Sequence, residues 1–425
     1  MTIAVFLGSL LGTMALGVPI AFALLLCGVA LMVHLDMFDA QILAQNVING
    51  ADSFPLLAVP FFILAGEIMN VGGLSRRIVN LAMALVGHVP GGLGYVAIIA
   101  ACLLAALSGS AVADAAALAA LLLPMMTAAG HDKARSAGLV AAAGVIGPVI
   151  PPSIGFIVFG VAANVSISKL FLAGIVPGLL MGLSLWVTWW LVARKEQTKI
   201  PPRKTRAEVM HALRESLWAL MLPIIILVGL RMGVFTPTEA AVVAAVYALT
   251  VSVLVYREIS TRQIMEVFVV AARTSAIVMF LVAASLVSAW LITVADLPSK
   301  VIDLLQPFLD NPTMLMIAIM VLVMVVGTAM DMTPTILILT PVLMPVIKAA
   351  GIDPVYFGVL FIINNSIGLI TPPVGTVLNV VAGVGKVTMD DVTKGVLPFM
   401  IAEFIIMFVM VLFPSIVTVP MRWFF

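Results

Sequence analysis

The chain alternates long apolar runs with short breaks built from Gly, Pro, Asp and basic residues. A membrane-spanning helix needs about 20 apolar residues. On that measure candidate spans fall at 2–33, 54–70, 134–166, 170–193, 211–230, 237–256, 264–291, 354–386 and 395–420. Two regions do not fit. Residues 90–130 and 311–351 each read as two apolar arms around a small, polar centre, SGSAVAD from Ser108 to Asp114 and GTAMDMTP from Gly327 to Pro334. Arms of about 15 residues at 1.5 Å rise reach about 22 Å, short of the roughly 30 Å hydrocarbon core. The pattern predicts re-entrant hairpins whose tips lie at membrane depth, where irregular backbone is tolerated only against protein or a water-filled cavity.

The breakers recur. Pro124, Gly130, Asp132, Gly147, Pro151, Pro152, Gly174 and Pro177 return 221 residues later as Pro345, Gly351, Asp353, Gly368, Pro372, Pro373, Gly395 and Pro398. Matching interruptions in two hydrophobic halves point to a transporter built from structural repeats, with its site where helices are broken. The polar interval Arg194–Glu215 contains Lys195, Lys199, Arg203, Lys204 and Arg206, and its basic character assigns it to the cytoplasm. Threading the spans from there places an odd number of crossings in the first half, so the repeats are expected to be inverted. The predicted fold is an all-α polytopic membrane protein. Its first inverted repeat, with the N-terminal helices, takes 1–193 (hairpin 90–130, broken helix 134–166). A cytoplasmic linker takes 194–215, and the second repeat takes 216–425 (hairpin 311–351, broken helix 354–386).

Composition agrees and narrows the functional classes. Hydrophobic residues make up 63% of 425 positions, charged residues 10%, and the net charge is +1, which gives no reason to expect nucleic acid. Cys27 and Cys102 are too isolated for disulfides or a thiolate metal site. His34, His88, His131 and His211 border apolar runs without ligand spacing, and the 26 Met residues read as flexible packing. The first segment has no basic leader region and is expected to stay as an uncleaved span.

The diprolines supply the chemistry. In GPVIPPSIG (Gly147–Gly155) and TPPVG (Thr371–Gly375), proline removes amide donors and breaks the span. Each break frees carbonyls from the upstream half-helix and presents the positive N-terminus of the downstream half. Carbonyls suit a hard cation such as Na⁺; the N-termini suit a carboxylate. Two cation nests follow. The first joins Ser108, Gly109, Ser110 and Asp114 with Gly147, Pro151, Pro152 and Ser153. The second joins Gly327, Thr328, Asp331 and Thr333 with Asn364, Asn365, Thr371, Pro372, Gly375 and Thr376. The hydroxyls of Ser110, Ser153, Thr328 and Thr376 are candidates for holding substrate. Acids in apolar segments are costly, so Asp114 and Asp331 need partners. Helix capping competes with ion contact for both, with Pro334 at a first helical position. No catalytic residue and no cofactor other than Na⁺ as coupling ion is expected. FTPTEAA (Phe235–Ala241) reads as Thr236 capping a helix with Glu239 in its first turn, while amphipathic stretches at Leu74–Val86 and Leu297–Phe308 read as interfacial helices. Two other classes remain open. An intramembrane aspartic protease would bring Asp114 and Asp331 into one site, and a passive channel would lack the closed tips.

The strings SGSAVADAAAL, VIGPVIPPS, GVFTPTEAAVVA, GTAMDMTPTILILTPVLMP and NNSIGLITPPVG strongly resemble the large, DctM-type membrane subunit of TRAP transporters, over essentially the whole chain. The resemblance implies an elevator-type member of the ion transporter superfamily in the bacterial inner membrane. It further implies Na⁺-driven import of an organic acid of the sugar-acid or dicarboxylate class, with H⁺ coupling as the alternative. The expected partners are a periplasmic substrate-binding protein and a small four-helix membrane subunit present as a separate chain.

Overall fold

Gly17, Val18 and Pro19 split the first apolar run. Gly17 takes a left-handed φ of 82° and Pro19 cannot continue a helix, so the predicted single span 2–33 is two packed helices, α1 (Thr2–Ala15) and α2 (Ile20–His34). The computed structural model describes residues 2–194, 196 and 198–423; Lys195 of the predicted linker lies outside them. The rest of the first half runs α3 (Ala40–Ala51), a 3₁₀ turn at Phe54–Leu57, α4 (Ala58–Val71), α5 (Leu74–Val86), α6 (Gly92–Ser108), α7 (Ala111–Ala128), α8 (Lys133–Gly144), α9 (Ile154–Ala163) and α10 (Ile167–Ala193). The second half begins inside the predicted linker, because Thr205 and Glu208 form a capping box that starts α11 (Arg206–Arg231) ten residues early. It continues with α12 (Pro237–Thr250), α13 (Thr261–Val294), α14 (Leu297–Leu309), α15 (Pro312–Gly327), α16 (Met332–Ala349), α17 (Pro354–Gly368), α18 (Thr376–Gly385), α19 (Met389–Leu412) and α20 (Ser415–Arg422).

The described residues contain no strand. Eight helical stretches among them are long and apolar enough to cross a membrane. Helical hairpins occur at both predicted places, α6 and α7 joined by Gly109 and Ser110, α15 and α16 by residues 328–331, but α7 and α16 are themselves among the eight helices long enough to cross. Their arms, 16–18 residues long, exceed the expected 15. Both predicted breaks form too, over 145–153 between α8 and α9 and over 369–375 between α17 and α18. The order long helix, amphipathic helix, hairpin, broken helix, long helix therefore occurs as α4–α10 and again as α13–α19. Thr236 and Glu239 make the expected capping box at the start of α12.

Packing sorts the helices into two groups. α6–α10 and α15–α19 interlock, with α8 against α19, α7 against α18 and α9 against α16; α1–α5 pack with α11–α13 around them. Small residues allow the closest approaches. A methyl on Gly138 of α8 would stand 2.1 Å from the Gly395 carbonyl carbon of α19, so these backbones touch directly. Nearby, the buried Trp189 ring stacks on Phe399 and donates its indole N–H to Gly91 O at 2.8 Å.

Candidate transport site

At the first tip the sequence dictates the geometry. Gly109 adopts a left-handed φ of 61°, ending α6, and Ser110 caps α7 by accepting from Ala113 N. Asp114 is therefore not the cap. It lies one turn in, buried, and its Oδ1 accepts from Ser108 Oγ at 2.5 Å, while its Oδ2 is buried without a hydrogen-bond partner. A methyl on Gly147 would stand 2.7 Å from that Oδ2 and 3.2 Å from the Ser110 carbonyl carbon; one on Gly109 would stand 2.3 Å from Pro152 O. The tip and the break thus pack directly against each other. Ser153 caps α9, accepting from Phe156 N at 3.2 Å and donating to Pro148 O at 2.5 Å. Residues 147–153, including Pro151 and Pro152, are all buried.

The second half repeats this arrangement with a more open break. A methyl on Gly368 would stand 3.0 Å from Gly327 O, and Val374 N donates to Thr328 O at 3.4 Å, so tip and break again meet. Asn364 donates its amide to Met320 O at 2.6 Å and Asn365 to Phe361 O at 2.7 Å, leaving both Oδ1 atoms buried and unpartnered. Thr371 Oγ1 donates to Ile367 O. Gly375 turns the chain with a φ of 46° and α18 opens with no side-chain cap, its Thr376 Oγ1 buried and unpartnered. Asn379, not singled out in the sequence, donates to Val374 O at 2.8 Å. The two breaks differ in exposure. Pro373 and Val374 are exposed, whereas the first break is sealed beneath α7 and Asp114. In both breaks the diproline peptide bond is cis.

Asp331 and Thr333 do not turn toward their own break alone. Asp331 caps α16 through Met332 N at 2.9 Å, the role that Ser110, 221 residues earlier, has in α7. Pro334 consequently occupies the third helical position, two beyond the one expected. Asp331, Met332 and Thr333 then line a cavity of about 190 Å³ together with Gly109 and Ser110 of the first tip, Ala111 and Val112 at the start of α7, Pro148 of the first break, Ile154 at the start of α9 and Leu369 of the second break. Its remaining wall, Ile63 of α4 and Thr274 and Val278 of α13, comes from the surrounding helices. An adjoining cavity of about 70 Å³ brings Glu67 and Asn70 of α4 to Ser108, Ser110 and Thr274. Glu67 carried a sequence signal, an acid within an apolar run; Thr274 carried none. Ser153, Thr328 and Thr376, expected with Ser110 at the substrate, do not line the shared cavity. Among the described residues no cluster of His, Cys, Asp and Glu is arranged to hold a metal ion. What the arrangement offers a hard cation is unpaired oxygen: one carboxylate oxygen at Asp114, two amide oxygens at Asn364 and Asn365 and the hydroxyl oxygen of Thr376.

Interrupted helices that meet around a shared cavity, with eight potential spans among the described residues, are the architecture of a polytopic membrane transport protein. The solved Alcanivorax borkumensis YdaH transporter has a similar fold, with a TM-score of 0.65 at 17% identity over 88% of this chain and 89% of that one. The family model for the tripartite ATP-independent periplasmic transporter, DctM component, matches residues 7–416. The chain belongs to this family and is a multi-pass protein of the bacterial inner membrane. It is 58% identical over the full length of both chains to the 2,3-diketo-L-gulonate TRAP transporter large permease protein YiaN of Escherichia coli K12. It is 38% identical to the sialic acid TRAP transporter large permease protein SiaM of Vibrio cholerae, over 95% of each chain.

Proposed function

We propose that this large permease imports a small organic acid of the sugar-acid class, driven by Na⁺, with the acid seated in the cavity between the two hairpin tips. The observation that supports this most is the convergence of Gly109, Ser110, Asp331 and Thr333, from opposite halves, on one cavity walled by α4 and α13. A carboxylate there meets the capped starts of α7 and α16, whose first-turn amides carry positive partial charge. The two cation nests lie behind it: Ser108, Asp114, Gly147, Pro151 and Ser153 in the first, and Gly327, Thr328, Asn364, Asn365, Thr371 and Thr376 in the second. Cations in these nests offset the repulsion between the Asp331 carboxylate and an anionic substrate, and that electrostatic dependence is the physical basis of coupling. The acid class is drawn from YiaN and SiaM, both named for sugar acids.

In the same reading the halves 1–193 and 216–425 are inverted repeats joined by the cytoplasmic segment 194–215. α6–α10 with α15–α19 form the mobile unit, and α1–α4 with α11–α13 the scaffold, consistent with the close packing within each group. The amphipathic α5 and α14 link scaffold to mobile unit. A periplasmic binding protein delivers the acid, and a small membrane subunit completes the complex. The test is uptake of radiolabelled 2,3-diketo-L-gulonate into proteoliposomes holding the assembled permease and its binding protein. Accumulation above the external concentration under an inward Na⁺ gradient is expected. Accumulation driven equally by a proton gradient without Na⁺, or only downhill equilibration, overturns the Na⁺-driven reading.

A further inference from the structure

We propose that the groove between the end of α5 and the start of α11 is a binding site for the anionic headgroup of a phospholipid in the cytoplasmic leaflet. This rests on the assignment of residues 194–215 to the cytoplasm. The groove is a cavity of about 540 Å³ whose polar wall is Arg203, Lys204, Arg206 and His88 and whose apolar wall includes Leu85, Met210 and Leu213. Its charge is one-sided. Lys204 pairs with Glu208 at 2.9 Å, but among the described residues Arg203 and Arg206 meet no acid in an ion pair. Arginine forks are donors that a phosphodiester accepts from, and basic pockets between helices on the cytoplasmic side favour anionic headgroups.

The apolar wall selects a lipid over a free anion. Leu85, Met210 and Leu213 are 46%, 49% and 39% exposed, so apolar surface borders the charged wall directly. From the cavity an exposed apolar stripe continues up α11 through Leu217, Met221, Ile224 and Val228 at helical spacing. A headgroup held by Arg203 and Arg206 therefore has a continuous apolar track on which its acyl chain lies, leading from the basic end of α11 into the bilayer. Inorganic phosphate would use only the first part of this surface.

Native mass spectrometry of the full-length chain, released from detergent with added phosphatidylglycerol or phosphatidylcholine, tests the site. Retention of phosphatidylglycerol over phosphatidylcholine is expected. Arg203→Gln, which lies in the extended segment before α11 and leaves the helix intact, should weaken retention about fivefold, and Arg203→Gln/Lys204→Gln/Arg206→Gln roughly a hundredfold. Met210→Ser/Leu213→Ser, with every charge kept, should also weaken it, and millimolar inorganic phosphate should not displace the lipid. Equal retention of both lipids, no loss in Arg203→Gln, or displacement by phosphate alone overturns the proposal. So does a triple variant that keeps its phosphatidylglycerol but sheds a co-purifying membrane protein, since a protein would then be the occupant.

Discussion

Replacing Gly109 by Ala tests the fit between the first tip and the first break. Two costs combine at this position. The backbone φ of 61° is a left-handed conformation that costs an L-residue about 1–2 kcal/mol. The new methyl would also stand 2.3 Å from Pro152 O and 3.2 Å from the Cα of Ser153, backbone atoms that cannot rotate aside. Overpacking of this kind typically costs about 1–3 kcal/mol, for a total of about 2–5 kcal/mol. Gly351 is the matched control: its φ is 69°, but no atom lies within 4 Å of an added methyl, so Gly351→Ala should cost only the conformational part. The difference, about 1–3 kcal/mol, measures the tip–break contact. Thermal unfolding of the purified variants in detergent, paired with Na⁺-driven uptake in proteoliposomes, reads both sides. Gly109→Ala should unfold well below Gly351→Ala and lose most transport, because the methyl prises Ser110 away from the cavity. Equal midpoints and equal uptake would show that the tip does not seat on the break.

Asp114→Asn keeps the acceptor for Ser108 but removes the charge, so Na⁺ half-saturation of uptake should rise at least tenfold at unchanged folded yield; an unaltered Na⁺ dependence would remove Asp114 from cation binding. Pro152→Ala and Pro373→Ala restore an amide donor in each break and should reduce uptake far more than membrane insertion, judged by immunoblot against initial rate; normal uptake in both would contradict the role of the breaks. Hydrogen bonds from Arg77, with Arg76 adding its charge, hold Glu258 below the usual carboxylate range. A lowered carboxyl stabilises above the ordinary value near 4.5 and loses that contribution as pH falls through its folded value. The unfolding midpoint of the native chain should therefore drop more steeply below about pH 4.5 than that of Glu258→Gln, by an amount equivalent to roughly 1 kcal/mol for this partly exposed pair. Parallel curves would show that the cluster contributes nothing.

Much of this architecture was readable because its determinants are local. Gly109 and Ser110 end and restart helices by their own backbone chemistry, and the diprolines cannot do otherwise than break a span, so hairpins and breaks were placed within a few residues. The same logic applied at Gly17 and Pro19, but the apolar residues on either side masked it. Capping was legible at Thr236 and Glu239 and ambiguous at Asp114, where only the fold shows that Ser110 takes the cap and Ser108 takes the carboxylate. The offset of 221 residues pairs Asp331 with Ser110, a correspondence obscured by the attraction of matching two acids. The cavity itself was not legible. It depends on Ile63, Thr274 and Val278, ordinary residues of α4 and α13 brought to the tips by packing across hundreds of positions, and no local pattern marks them.

The direct backbone contact of Gly138 with Gly395 has a bearing on motion. A helix from each half lies against the other with no side chain between them, so α8 and α19 meet backbone to backbone. Whatever displacement the protein undergoes must move this joint as a single rivet. A side chain larger than hydrogen at either position would force α8 and α19 apart, so the seam tolerates only glycine on both sides.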